Sequence, residues 1–219
     1  EKNSYSTGTQ IDLVYPMLVK ATPEDAVGGV KQTLYNETAQ RFKGHLSTGL
    51  VGVPVLTQWA IENGEAEFMY QMLKKREYPG YLYMIDNGAT LTWEHWNGSR
   101  SRIHNCYNGI GRWFHQALAG IMPDEEQPGY KHINIRPQLV EGITWVKASK
   151  NTSYGPVAVN WNIENNVFTL NVEIPAGSTA TLSLPAGAEQ IEVIPAIKET
   201  GSSMTLPSGQ YEIICQIQG

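Results

Sequence analysis

Met122-Pro123-Asp124-Glu125-Glu126-Gln127-Pro128-Gly129 divides the sequence. Two prolines and a closing glycine around three acids interrupt any regular element, and the texture of the chain differs on the two sides. Upstream, apolar residues recur at helical spacing. Downstream, short alternating runs are bounded by Pro, Gly and Asn. The reading is α plus β in two domains, with residues 1–122 helical and 123–219 β.

Beyond the divide, Val157 to Ile163 and Val167 to Ile174 flank Glu164-Asn165-Asn166 and read as a hairpin. Thr179 to Leu184, Gln190 to Ile194 and Gln210 to Ile217 add strands at close spacing. Short strands separated by Pro and Gly predict an antiparallel β-sandwich. These strands are expected to cover a flank of the helical part, with Trp145 and Trp161 as interface or core residues.

Ahead of the divide, Thr22-Pro23-Glu24-Asp25 places a capping hydroxyl before a proline, with acids in the first turn of a helix that runs to Arg41. Ile11 to Lys20 reads as a shorter helix with Pro16 near its middle. Val53 to Glu62 and Glu65 to Arg76, joined by Asn63-Gly64, predict a helical hairpin. Asn105 to Gly120 resumes helical spacing, which places Trp113 and Phe114 in the core. Five such helices resemble part of a toroid of hairpins more than a finished bundle. The chain also opens on Glu1 instead of Met, which fits a segment of something larger.

With 41% hydrophobic and 17% charged residues the composition is that of a globular protein. A net charge of -5 without a basic stripe argues against nucleic acid as a partner. No apolar run approaches the roughly 20 residues of a membrane helix. Cys106 and Cys215 lie far apart and make no disulfide framework. The compartment stays open, with a periplasmic or extracellular location expected ahead of a cytoplasmic one.

Two glycine-bearing stretches interrupt the helical half, Lys43 to Gly49 and Tyr78 to Ser101, and both are expected to be irregular. Long loops within a helical domain usually carry function. The second leads into Trp93-Glu94-His95-Trp96-Asn97-Gly98, followed by His104. Indole faces stack on the apolar faces of sugar rings, and a carboxylate accepts sugar hydroxyls or a proton from water. Trp93, Glu94 and Trp96 therefore fit a sugar site, and His104 fits a donor to a sugar oxygen. An equally open reading makes both tryptophans loop anchors and pairs Glu94 with Arg100 or Arg102. His45 is ambiguous in the same way. The five histidines lack paired metal spacing, so neither a metal nor a cofactor is expected. There is no Gly-x-Ser-x-Gly elbow and no phosphate-cradling loop.

The run from Tyr83 to Gly98, Tyr-Met-Ile-Asp-Asn-Gly-Ala-Thr-Leu-Thr-Trp-Glu-His-Trp-Asn-Gly, resembles the signature of bacterial α-L-rhamnosidases of glycoside hydrolase family seventy-eight. Flanking pieces agree: Gly44-His45-Leu46-Ser47-Thr48-Gly49, Ser101-Arg102-Ile103-His104-Asn105, Gly109-Ile110-Gly111-Arg112-Trp113 and Ala119-Gly120-Ile121. So do Pro128-Gly129-Tyr130-Lys131 and Tyr154-Gly155 with Trp161. The resemblance implies the last helices of an (α/α)6 toroid followed by a C-terminal β-sandwich. It also implies inverting hydrolysis of terminal α-L-rhamnosides, in which an acid protonates the leaving oxygen and a carboxylate about 6.5 to 9.5 Å away activates water. By the family's pattern Glu94 is the general base, His104 contacts the sugar, and Trp96 walls the same pocket.

One departure limits the expectation. The family's general acid lies in an upstream acidic motif that does not occur between Glu1 and Gly219. The implied partners are a rhamnose-containing glycan and the N-terminal part of the same polypeptide. The isolated chain is expected to be nearly inactive. A non-catalytic carbohydrate-binding protein, or a toroidal glycosidase acting on another sugar, stands as the alternative.

Overall fold

The structure, a computed structural model, describes residues 3–105, 107–198 and 200–217. Cys106 lies outside them. The chain forms two compact units, Glu1–Trp113 and Phe114–Gly219. The boundary along the chain falls ahead of the composition change near residue 122, because the stretch from Phe114 to Pro123 belongs to the β unit. There the Trp161 indole donates to Leu118 O at 2.8 Å, and Ala119 and Ile121 belong to the β core.

In the first unit α1 (Gln10–Leu18) starts on a reciprocal cap, in which the Thr9 hydroxyl accepts from Asp12 N and the Asp12 carboxylate accepts from Thr9 N. Pro16 is accommodated inside this helix. α2 (Glu24–Gln40) lacks a side-chain cap. The expected cap, Thr22, instead accepts a hydrogen bond from the Tyr5 hydroxyl at 3.2 Å. α3 (Gly52–Asn63) buries residues around most of its circumference, among them Val53, Leu56, Trp59 and Ile61, and packs on α1. Gly64, at φ 75°, ends it and turns the chain into α4 (Ala66–Leu73).

Two further expectations fail. The stretch from Tyr78 to Ser101 is not wholly irregular, since it contains α5 (Tyr81–Asp86). The helix expected over Asn105 to Gly120 reduces to a 3₁₀ turn at Asn108–Ile110 and a wide π-type turn at Trp113–Leu118. Two neighbours expected to be buried together there differ in burial. Trp113 is buried and stacks on Tyr70, with centroids 6.0 Å apart, whereas Phe114 is 52% exposed.

The second unit is a sandwich of two sheets. One orders its strands β1 (Ile121–Pro123), β2 (His132–Ile135), β6 (Thr179–Ser183) and β8 (Ser203–Leu206). The other runs β3 (Trp145–Thr152), β4 (Gly155–Glu164), β5 (Val167–Ile174), β9 (Gly209–Gln216) and β7 (Glu189–Ile194). Pairing is antiparallel except between β2 and β6. The predicted hairpin is β4–β5, and both Asn165 and Asn166 take positive φ, which asparagine tolerates in a tight turn. Alternate residues Val157, Val159, Trp161, Phe168, Leu170 and Ile213 face the core. Trp161 is a core residue as expected. Trp145 is not, being 66% exposed on edge strand β3.

Candidate active site

The loop that carries Glu94 is closed by its own backbone. His104 N donates to Thr92 O at 2.9 Å and Glu94 N donates to Ser101 O at 2.8 Å, so residues 92–94 and 101–104 run as two paired arms. The Thr92 hydroxyl ties the arms again, donating to His104 O and meeting Asn108 Oδ1 at 2.9 Å. At the tip Gly98 N donates to His95 O at 2.9 Å, and Asn97 Oδ1 accepts from Ser99 N at 3.0 Å. Gly98 has φ 74°, and a Cβ there would lie 2.8 Å from the Trp93 ring. Glycine is required on both counts.

Within this frame Glu94 Oε2 accepts from Ser101 N at 3.2 Å. Its Oε1 lies 3.9 Å from both Arg100 Nη1 and His95 Nε2. The side chain is 24% exposed, held at one oxygen by the backbone and reachable by water. A carboxylate positioned this way can accept a proton from a water molecule without a change of loop conformation. Arg102 does not pair with Glu94. It donates to Gly98 O at 3.3 Å and covers the Trp93 ring at 5.0 Å.

The two indoles are built in more deeply than an open sugar platform. Trp93 is buried. Trp96, 8% exposed, stacks on Tyr107 with centroids 3.9 Å apart and meets Tyr81 edge-on at 5.2 Å. Its Nε1 donates to Thr48 O at 3.0 Å. Trp96 therefore anchors the Glu94 loop to the other glycine-bearing stretch, Gly44 to Gly49.

That second stretch is fixed in turn from the core. Gln10, fully buried, accepts from Ser47 N at 2.8 Å and donates to His45 O at 3.0 Å and to the Thr38 hydroxyl at 3.1 Å. His45 Nδ1 lies 3.1 Å from Pro79 O, at the foot of α5. Sequence reasoning missed Gln10, Thr92 and Tyr107. Nothing local marks Gln10. Among the described residues no group of His, Cys, Asp and Glu is placed to hold a metal ion. No helix of the described residues is long and apolar enough to cross a membrane.

Paired helices with a carboxylate on an indole-braced loop, followed by a β-sandwich, form an architecture of helical hairpins and a C-terminal sandwich domain. The chain belongs to the bacterial α-L-rhamnosidase family, matching its six-hairpin glycosidase domain over residues 1–118 and its C-terminal domain over residues 120–198. It is 33% identical over 199 residues to an α-L-rhamnosidase of Formosa agariphila, a match covering 85% of this chain and 21% of that protein. In structure it is similar to the α-L-rhamnosidase of Dictyoglumus thermophilum, with a TM-score of 0.87 and 26% identity over 99% of this chain and 26% of that one. It shares a fold with the Streptomyces avermitilis α-L-rhamnosidase solved with L-rhamnose, with a TM-score of 0.85 and 24% identity over 96% of this chain and 22% of that one. The chain thus spans about a fifth of the length of the relatives it matches.

Proposed function

We propose that this chain is the C-terminal portion of an inverting α-L-rhamnosidase and that Glu94 is the base that activates the attacking water. Two things support the reading: the family match over both units, and a carboxylate that one backbone N–H fixes while solvent still reaches it. Ser101 N orients the carboxylate. Arg100 and His95, each 3.9 Å away, place positive or hydrogen-bonding groups beside it. His104, pinned through its backbone to Thr92, is the proposed sugar contact. Trp93 and Trp96 act mainly through the loop they hold, with the small exposed part of Trp96 as pocket wall.

The base needs an acid on the opposite side of the glycosidic bond. In this proposal the acid comes from elsewhere in the same polypeptide, and a rhamnose-terminated glycan is the substrate. Following the anomeric proton signals during hydrolysis of an aryl α-L-rhamnoside by the complete polypeptide tests the reading. The β-anomer of rhamnose is expected to appear first and to mutarotate later. Initial release of the α-anomer, or no release of rhamnose, would overturn it.

A further inference from the structure

We infer that Arg100 is a positioning residue for Glu94, kept in an unfavourable backbone conformation that sets its guanidinium beside one oxygen of the carboxylate. The inference rests on the assignment of Glu94 as the base.

The backbone supplies the first observation. Arg100 has φ 61°, in the left-handed region that residues with a side chain seldom occupy. Among the described residues it is the one non-glycine residue between Thr92 and His104 that does so. A turn that needed only this conformation would be met better by glycine, as at Gly98 in the same loop, or by asparagine, as at Asn165 and Asn166. An unfavourable conformation kept beside a reacting group directs attention to what the side chain does there.

The side chain supplies the second observation. Arg100 Nη1 lies 3.9 Å from Glu94 Oε1. The next residue, Ser101, holds the rest of Glu94: its N–H donates to Oε2 at 3.2 Å, and its carbonyl accepts from Glu94 N at 2.8 Å. Arg100 and Ser101 thus address the two carboxylate oxygens from adjacent positions, one by charge and one by a hydrogen bond. A carboxylate tied at one oxygen can still swing about that tie. Attraction at the other oxygen opposes the swing and narrows the directions from which Oε1 meets a water proton. Arg102 does not duplicate this role, because its guanidinium lies over the Trp93 ring. Arg100 is 74% exposed, so solvent screens the pair and its contribution to folding is small. The conformation is therefore better explained by a role in orienting the base than by one in stability.

Kinetics of the complete polypeptide on a nitrophenyl α-L-rhamnoside test the role. Arg100→Asn removes the cation but keeps a residue that accepts the left-handed backbone. It is expected to lower kcat about five- to tenfold, with KM within about twofold of the parent and no fall in the thermal midpoint. Arg100→Lys keeps a cation and is expected to recover most of that kcat. In a Glu94→Gln background Arg100→Asn is expected to cause no further loss, because the carboxylate it acts through is gone. An unchanged kcat in Arg100→Asn, a raised KM without a lowered kcat, or a kcat in Arg100→Lys as low as in Arg100→Asn would overturn the proposal. So would a further loss of the same size in Glu94→Gln, or a lowered thermal midpoint accompanying the lowered kcat. If Glu94→Gln lowers kcat and Arg100→Asn does not, the positioning role alone fails. If Glu94→Gln keeps its parent's kcat, the assignment of the base fails and this role with it.

Discussion

Gln10 carries no charge and no ring, yet it joins α1 to the loop on which Trp96 and, through it, the Glu94 loop are anchored. Replacing it with leucine would leave the partly buried Ser47 N–H and His45 C=O without their partner. The expected cost is about 2 to 4 kcal/mol of folding stability, measured by urea denaturation. A loss below the error of the titration would remove Gln10 from this role. Asp12 offers a second test. The Thr7 hydroxyl first, then Thr9 through its side chain and backbone, hold the Asp12 carboxyl below its ordinary value of 3.8, against the opposing effect of burial. Because the folded value is the lower one, the contribution is complete above about pH 4 and is lost as pH falls through the folded value. Asp12→Asn is expected to flatten the acid limb of the stability profile in that window, and an unchanged acid limb would contradict the assignment. The two residues differ in legibility. Glu94 stood out because a carboxylate between indoles has a recognisable chemistry, whereas the role of Gln10 depends on partners 28 to 62 positions away.

Turns show what the elements demand. Gly64 and Gly120 share a left-handed backbone, at φ 75° each, but differ in surroundings. Nothing lies within 4 Å of a Cβ at Gly64, so Gly64→Ala is expected to cost only the conformational strain, about 1 to 2 kcal/mol. At Gly120 a Cβ would lie 2.2 Å from the carbonyl carbon of Arg136. Backbone cannot step aside as a flexible side chain can, and Gly120→Ala is expected to exceed about 4 kcal/mol or to prevent folding of the β unit. Thermal unfolding of the two variants measures the contrast, and equal losses would refute it. The α3–α4 junction and the β4–β5 hairpin were legible because Asn-Gly and Asn-Asn turns announce themselves locally. The π-type turn at Trp113–Leu118 was not, since its apolar spacing imitates an ordinary helix. Short strands such as β1 and β8, of three and four residues, were also missed, because too few positions are available to display alternation.

At the scale of the whole molecule, the division into a helical unit and a sandwich was visible at the proline-rich stretch after Met122. The packing of residues 114–123 into the sandwich was not, because it depends on contacts such as Trp161 with Leu118. The chain spans about a fifth of the relatives it matches, and the proposed mechanism places the acid outside it. The isolated chain is accordingly expected to release no measurable nitrophenol from a nitrophenyl α-L-rhamnoside, and turnover by it alone would show that the acid lies within these residues. The most direct measurement is the turnover of that same substrate by the complete polypeptide with and without Glu94→Gln. Loss of the base is expected to lower kcat about 10²- to 10⁴-fold while leaving substrate binding largely intact. A variant that keeps its parent's kcat would contradict the assignment of Glu94.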